Sequence, residues 1–373
     1  MELAKTIIAS IVTSVNPRRG GKERFVFDLC KEIMARGHNV TVLLCDDQFS
    51  EKLDCRVERI GNWNIPGFPP IPSPWAIIRN LHQRFDLVHL HYSSFLGEIV
   101  AIACKLRGLP LITTFHDEMK RGSHKFLYDR ILLTIISKLS SRVICLSESM
   151  KITLKGRGLS KKKISVISNG FHVKALQGHV KELRKIKARK DSILFVGRLE
   201  ERKGPHYLLE ALVHLRKKGI FPKLTVIGDG PYKHKLISYT KENNLVDQVD
   251  FTGYVTSQKL LKCYAQARCV IIPSLFEGIP TVAIEAMTFG IPIVASAIPG
   301  MEMIASKEIG LTVPPKDSRI LADAIHKCLE LPEKERSLIA SKEKNLALVF
   351  DWSVVATNII SLYNELLDSQ LHL

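Results

Sequence analysis

Hydrophobic positions in this chain fall into short unbroken runs, separated by stretches in which they recur at helical spacing. Residues 7–12 form the first run. After Gly20-Gly21, the positions Val26, Leu29, Cys30, Ile33 and Met34 keep the i, i+3, i+4, i+7, i+8 rhythm of one buried helix face, Gly37 ends that helix, and residues 40–45 are the next run. Strand, helix and strand in so short a span predict a β-α-β unit. Runs at 87–90, 111–115, 143–146 and 164–167 extend the series, and a second series opens at 192–196 and continues at 224–227, 249–252, 270–272 and 293–295. Between the last two of these runs lies a loop with Glu277 and Gly278, then a helix that Pro280 is placed to open, that carries Glu285 and that stops at Gly290. Residues 65–75 hold five prolines and a glycine and predict a surface loop without regular structure, whereas 352–367 predict a final helix with Val354, Val355, Ile359, Leu362, Tyr363 and Leu366 on an apolar face. The expected class is α/β, with two facing domains built on parallel sheets and a cleft between them.

Composition narrows the class without changing it. At 373 residues, with 46% hydrophobic and 24% charged residues, the chain is that of a folded protein of two domains. The first apolar segment is punctuated by Thr and Ser and followed by Arg18, Arg19 and the glycine pair, which predicts a strand in place of a signal peptide. No run approaches the ~20 residues that span a bilayer; the most apolar helix candidate, 128–139, is broken by Asp129, Arg130 and Lys138. Eight scattered cysteines without a Cys-x-x-Cys pair suit a reducing, cytoplasmic setting and argue against structural zinc. The net charge of +17 is concentrated: between residues 151 and 190 there are thirteen Lys or Arg and one acid, Glu182. Such a segment is a solvated linker helix or a docking site for an anionic surface. It has no interleaved aromatics on which bases could stack, so an anionic membrane surface, with the protein peripheral to it, is favoured over nucleic acid.

The chemistry concentrates where strands end. Gly197-Arg198-Leu199 closes one run, and Lys203-Gly204 follows, so a bidentate donor, a point charge and open backbone meet as a diphosphate requires. Gly228-Asp229-Gly230-Pro231 is not a dinucleotide fingerprint, because Lys233 stands where the third glycine belongs, and it reads as a tight turn. There is no Asp-x-Asp; Arg198, Lys203 and the backbone around Gly278, Ile279, Pro280 and Thr281 could neutralise a diphosphate without metal or other cofactor. Glu285 could accept two hydroxyls, as a carboxylate gripping a ribose does, while Glu277 would face whatever lies beyond the phosphates. His116 ends a strand, where it could serve as acid or base but suits an orienting hydrogen bond better. His89 and His91 share one strand face, a spacing that permits a metal pair but more often marks a structural role.

In order, these residues resemble the retaining glycosyltransferases of family 4, of GT-B fold, over essentially the whole chain. The resemblance rests on Gly20-Gly21 with Glu23, residues 37–40, 86–91, 114–117, Ser147-Glu148 and Asn169-Gly170 in the first half. In the second it rests on Gly197-Arg198-Leu199 with Lys203-Gly204, 228–231, 277–280, Glu285-Ala286-Met287 and Gly290. It departs at Ser168, where proline is usual, and at Phe171-His172. The resemblance implies that Arg198 and Lys203 hold the diphosphate of a nucleotide sugar and that Glu285 binds its ribose. It implies that Glu277 and the amides after it hold the transferred sugar, that the Gly20-Gly21 loop closes over the pyrophosphate, and that His116 contacts the sugar from the opposite domain. The last helix would cross back to the first domain.

The resulting expectation is an enzyme that transfers a hexose from a UDP- or GDP-sugar to the hydroxyl of a glycan or lipid-linked acceptor, with retention and without metal. Its parts would be an acceptor-side domain (1–172), a basic linker (173–190), a nucleotide-sugar-binding domain (191–350) and the returning helix (351–373). Loops 14–24, 61–75 and 117–126 would read the acceptor. A nucleotide-sugar epimerase or phosphorylase of similar fold, and a non-catalytic basic surface-binding protein, are the alternatives.

Overall fold

The computed structural model describes residues 7–12, 21–44, 55–60, 62–63, 71–81, 85–91, 96–116, 134–136, 138–186 and 188–371. The chain divides into two units, Met1–Gly170 with Trp352–Leu373, and Phe171–Asp351.

The first unit runs β1 (Ile7–Val12), α1 (Gly21–Ala35), β2 (Asn39–Leu44), β3 (Arg56–Arg59), β4 (Asn62–Trp63), β5 (Ile71–Pro72), α2 (Pro74–Asn80), β6 (Leu87–His91), α3 (Leu96–Arg107), β7 (Leu111–Phe115), β8 (Arg142–Cys145), α4 (Glu148–Gly156) and β9 (Ile164–Val166). Seven strands form one sheet in the order β3-β2-β1-β6-β7-β8-β9, every pairing parallel. Parallel strands need crossovers, and helices cover both faces, so the strands read as unbroken apolar runs and β6 and β7 are buried throughout. The 65–75 stretch departs from the loop expectation at its end. β5 pairs antiparallel with β4, and Pro74 opens α2, a position where its missing N–H costs nothing, with the Ser73 hydroxyl accepting from the Ala76 N–H at 3.4 Å. Most of the 128–139 helix candidate lies outside the described residues.

The second unit runs α5 (Val173–Glu182), β10 (Ser192–Val196), α6 (Pro205–Lys217), β11 (Lys223–Ile227), α7 (Lys233–Glu242), β12 (Val249–Gly253), α8 (Ser257–Gln266), β13 (Cys269–Ile272), α9 (Thr281–Phe289), β14 (Ile293–Ser296), α10 (Glu302–Ser306), β15 (Gly310–Val313), α11 (Ser318–Leu329) and α12 (Glu333–Val349). Its six strands are again parallel, in the order β12-β11-β10-β13-β14-β15. Successive residues of β10 point to opposite faces. Ile193 and Phe195 join α6, α7 and α11 in one core, and Leu194 joins α5, α8, α9, α10 and α12 in the other. Residues 173–182, expected within a basic linker, are the helix α5, whose Val173 is buried in this second core and which packs on α9.

The last helix, α13 (Trp352–Leu371), belongs to the first unit. Its Trp352, Val355, Ile359, Leu362, Tyr363 and Leu366 pack with α1 on one face of that sheet, while Val354, expected on the same face, is exposed. The architecture is two Rossmann-like units, each a parallel sheet between helical layers.

Candidate active site

β10 and β13 are neighbours in the second sheet although β11 and β12 intervene in sequence, so the gap between their carboxyl ends is the switch point at which such sheets bind ligands. From β10 the chain passes through Gly197-Arg198, makes a single 3₁₀ turn at Glu201–Lys203 and enters α6; from β13 it passes through 273–280 and enters α9. Two glycines let these loops nest, on each other and on the segment after β14. Gly204 has φ +64°, and a Cβ there would lie 2.0 Å from the Pro273 carbonyl oxygen; Gly300, after β14, has φ +88°, and its Cβ would lie 1.9 Å from the Gly278 oxygen. Leu275 N–H donates to Arg202 O at 2.8 Å, so the two loops are also bonded backbone to backbone.

The nesting brings the charges together. Lys203 Nζ ion-pairs with Glu277 Oε1, Arg202 Nη1 lies 3.4 Å from Glu277 Oε2, and the Ser274 hydroxyl donates to Oε1 at 2.8 Å. Arg202 also donates to Glu200 Oε1 at 2.9 Å and to the Phe276 carbonyl at 3.2 Å, and Arg198 Nε stands 3.6 Å from Glu200 Oε2. Exposure grades outwards, with side chains 7% accessible at Glu277, 19% at Lys203, 46% at Arg202 and 67% at Arg198. The buried end is thus a neutralised pair and the open end is cationic. α9 begins beside Glu277 and Gly278 with no side-chain cap, since its N-cap is Pro280. Pro280 has no N–H, so of the backbone singled out by sequence the donors are Gly278, Ile279 and Thr281.

Glu285 lies one turn into α9, partly buried, and burial raises its carboxyl above the ordinary range. Tyr264 of α8 donates to Glu285 Oε2 at 2.5 Å, which works in the opposite direction. The 228–231 turn is tied to the loop after β10: Leu199 N–H donates to Asp229 O and Tyr232 N–H to Leu199 O, each at 2.9 Å. Lys233 is held by Asp229 at 2.7 Å.

In the first unit, β6 and β7 carry a column of histidines. His89 is buried, with Nδ1 bonded to the Tyr363 hydroxyl at 2.6 Å and Nε2 to Thr114 Oγ1 at 2.7 Å, and burial lowers its pKa to about 3. Both ring nitrogens are therefore engaged, the structural role expected over the metal pair. His91 stacks on His89 at 4.3 Å, and its Nδ1 lies 3.1 Å from His116 Nε2, with Phe25 of α1 edge-on to His116 at 5.0 Å. Gly21 begins α1, whereas Gly20, Asp117 and the loop 117–126 lie outside the described residues. The two candidate catalytic residues, Glu277 and His116, belong to different units. Among the described residues there is no His, Cys, Asp and Glu cluster that could hold a metal ion, and no helix long and apolar enough to cross a membrane.

Sequence reasoning missed Arg202, Ser274, Tyr264 and the contact of His91 with His116. Arg202 sits next to Lys203, yet only the 3₁₀ turn decides that both face Glu277. Tyr264 has the spacing of a core residue, which it also is.

The sequence matches the model for Glycosyl transferases group 1 over residues 180–345 and that for Glycosyltransferase Family 4 over residues 19–174. It is 28% identical over 291 residues to a glycogen synthase of Mycobacterium tuberculosis, covering 75% of this chain and 69% of the relative. It is 30% identical over 243 residues to the Escherichia coli UDP-Gal:alpha-D-GlcNAc-diphosphoundecaprenol alpha-1,3-galactosyltransferase, covering 61% of each. The crystal structure of Anabaena HepE in complex with UDP superposes with a TM-score of 0.77 at 23% identity, covering 96% of this chain and 100% of that one. The two Rossmann-like units have the GT-B fold, and the family matches make the chain a glycosyltransferase. The chain belongs to glycosyltransferase family 4, the group 1 enzymes.

Proposed function

We propose that this enzyme transfers a hexose from a nucleoside-diphosphate sugar, UDP- or GDP-linked, to a hydroxyl of a glycan or lipid-linked acceptor, with retention and without metal. The observation that carries the reading is the gathering of Arg198, Arg202 and Lys203 beside Glu277 and the uncapped start of α9 at the sheet's switch point. Fixed cations and oriented amides there would stabilise the charge that builds on a leaving diphosphate, the task a metal ion performs elsewhere. Glu285 would accept the ribose hydroxyls, and Glu277 with the amides of Gly278 and Ile279 would hold the transferred sugar. His116, steadied by His91, would supply an orienting hydrogen bond to that sugar. Support for a UDP-sugar and a lipid-linked acceptor comes from the name of the E. coli relative and from the UDP held by Anabaena HepE.

Retention by two displacements needs a free carboxylate nucleophile. Glu277 has both oxygens engaged by Lys203, Arg202 and Ser274, which supports the other route. The bond from the anomeric carbon to the phosphate oxygen breaks, the acceptor oxygen bonds to that carbon from the same face, and the acceptor's proton passes to the departing phosphate. The basic segment within 155–190 is proposed to rest on anionic membrane at the cytoplasmic side; liposome flotation independent of anionic lipid and of salt would end that part.

The test is a thermal-shift screen with UDP and GDP followed by sugar-transfer assays in excess EDTA. We expect stabilisation by one nucleotide, transfer that survives EDTA, and a fall in kcat/KM of about a hundredfold or more for both Arg198→Ala and Lys203→Ala. Near-normal turnover in either variant refutes the site assignment.

A further inference from the structure

The ribose reading of Glu285 makes a demand that its surroundings oppose. Two vicinal hydroxyls can both donate, and an ionised carboxylate accepts from both in charge-assisted bonds; a protonated carboxyl offers an O–H at one oxygen and loses that charge assistance. Glu285 is partly buried on α9, and burial favours the protonated form. Something must hold it as a carboxylate at a fixed angle.

Tyr264 is placed to do so. Its side chain is 1% exposed, on α8, and lies against one face of α9. Its ring stacks on Phe289 at 5.4 Å with planes 22° apart, and its hydroxyl reaches Glu285 Oε2 at 2.5 Å. Glu285 and Phe289 are four apart on the helix, one turn, so the aromatic contact fixes the ring and thereby the direction of the hydroxyl. The phenol itself is pushed well above its ordinary pKa by burial and by the Glu285 charge, and it stays a donor wherever Glu285 is ionised.

We propose that Tyr264 is a positioning residue for donor binding: it anchors Oε2 of Glu285 and presents the carboxylate, through Oε1 and the remaining lone pair of Oε2, to the vicinal diol of the donor's ribose. The inference rests on the ribose reading above. The other charged side chains on the helices packed against α9 are Lys259 and Lys262 on α8, Lys174, His179, Lys181 and Glu182 on α5, and Glu333, Lys334, Glu335, Arg336, Lys342, Glu343 and Lys344 on α12; the thiols Cys263 on α8 and Cys269 on β13 are the remaining titratable neighbours. Burial raises the Glu285 carboxyl, and the Tyr264 hydroxyl opposes it.

Tyr264→Phe keeps the ring and its packing and removes one bond to the charged form, so Glu285 needs a higher pH to ionise. The experiment measures the affinity of UDP, GDP and their 2′-deoxy counterparts from about pH 5 to 9 for the wild type, Tyr264→Phe and Glu285→Gln. For Tyr264→Phe we expect nucleotide affinity to decline from a higher pH than in the wild type as pH falls. Its loss should reach about tenfold at the acidic end and be smallest, though still measurable, at the alkaline end. The preference for ribo- over deoxynucleotide should shrink in step, and the donor KM should rise with kcat kept. An unchanged melting temperature with the same pH midpoint and the same ribo-to-deoxy ratio in Tyr264→Phe overturns the positioning role. Undiminished affinity and ribo-preference in Glu285→Gln instead sinks the ribose reading itself.

Discussion

Glu277 is held by three side chains at once, and they are not equivalent. Lys203 is mostly buried and Arg202 is half exposed, so the Lys203 pair is little screened by solvent while the Arg202 pair is worth about 1 kcal/mol or less. Lys203→Ala leaves an almost fully buried carboxylate with a hydroxyl and a half-exposed guanidinium at 3.4 Å, at a cost of about 3 kcal/mol to the second unit. Arg202→Ala should cost well under half of that, and urea unfolding followed by circular dichroism compares the two; equal losses would contradict the ranking. His89 makes a prediction of the opposite kind, about pH. It is neutral in the fold with a pKa of about 3 against 6.5 ordinarily, so the unfolded chain binds the proton first as pH falls. The stability it contributes is complete above pH 6.5 and is lost as pH falls towards 3, by up to about 1.4 kcal/mol per pH unit. All three tryptophans, Trp63, Trp75 and Trp352, lie in the first unit, so their fluorescence during urea unfolding at successive pH values reports on the unit that holds His89. In His89→Gln that slope should be shallower by about one proton.

At the scale of elements, the site depends on two loops nesting, and glycine is what permits it. Gly204 and Gly219 both adopt positive φ, at +64° and +75°, but only Gly204 also has backbone where a Cβ would go. Gly219→Ala should therefore cost about 1 kcal/mol of conformational strain, and Gly204→Ala about 3 kcal/mol or more with weakened nucleotide binding, read by thermal melts with and without UDP or GDP. The strands on which these loops sit were legible in the sequence because both sheet faces are covered and the strands are continuous apolar runs. β3 and β15 were not. Both are sheet edges, β3 reads Arg-Val-Glu-Arg, and β15 opens on a glycine and is only half buried along most of its length. The site shows the same division. Arg198, Lys203 and Glu277 could be named because they are polar residues beside turn glycines at strand ends, and Glu285 because it is the acid on the helix that Pro280 opens, patterns that sequence displays. Arg202 and Tyr264 could not, since their roles depend on which way a 3₁₀ turn faces and on which helix lies next to α9.

At the scale of the molecule, the second unit is an insertion into the first. The chain leaves the first unit after Gly170 and returns to it at Trp352. Phe171 and Asp351, the ends of the inserted unit, are bridged as parallel strand partners, and Phe171 N–H donates to Phe350 O at 2.8 Å. On the other side of the junction Gly170 lies against the Trp352 indole with no space for a Cβ. Trp352, Val355, Ile359 and Tyr363 are all buried in the first unit's core, and at about 1.5–3 kcal/mol per large side chain their loss rivals the whole stability of a domain. A chain ending at Asp351 is therefore expected to leave the first unit unfolded, seen as protease sensitivity of residues before 170, while the second unit still binds nucleotide.

The same insertion sets an order of events during synthesis. All of the second unit has been translated before Trp352 is added, so on the ribosome the second unit can fold while the first unit, begun earlier, still waits for α13. Through that interval the sheet face that α13 covers, with Val40, Leu87, Ile112 and Ile144 in its core, lacks that cover. The first unit, begun before the second, is completed after it, and its nascent apolar face is where chaperone engagement would fall.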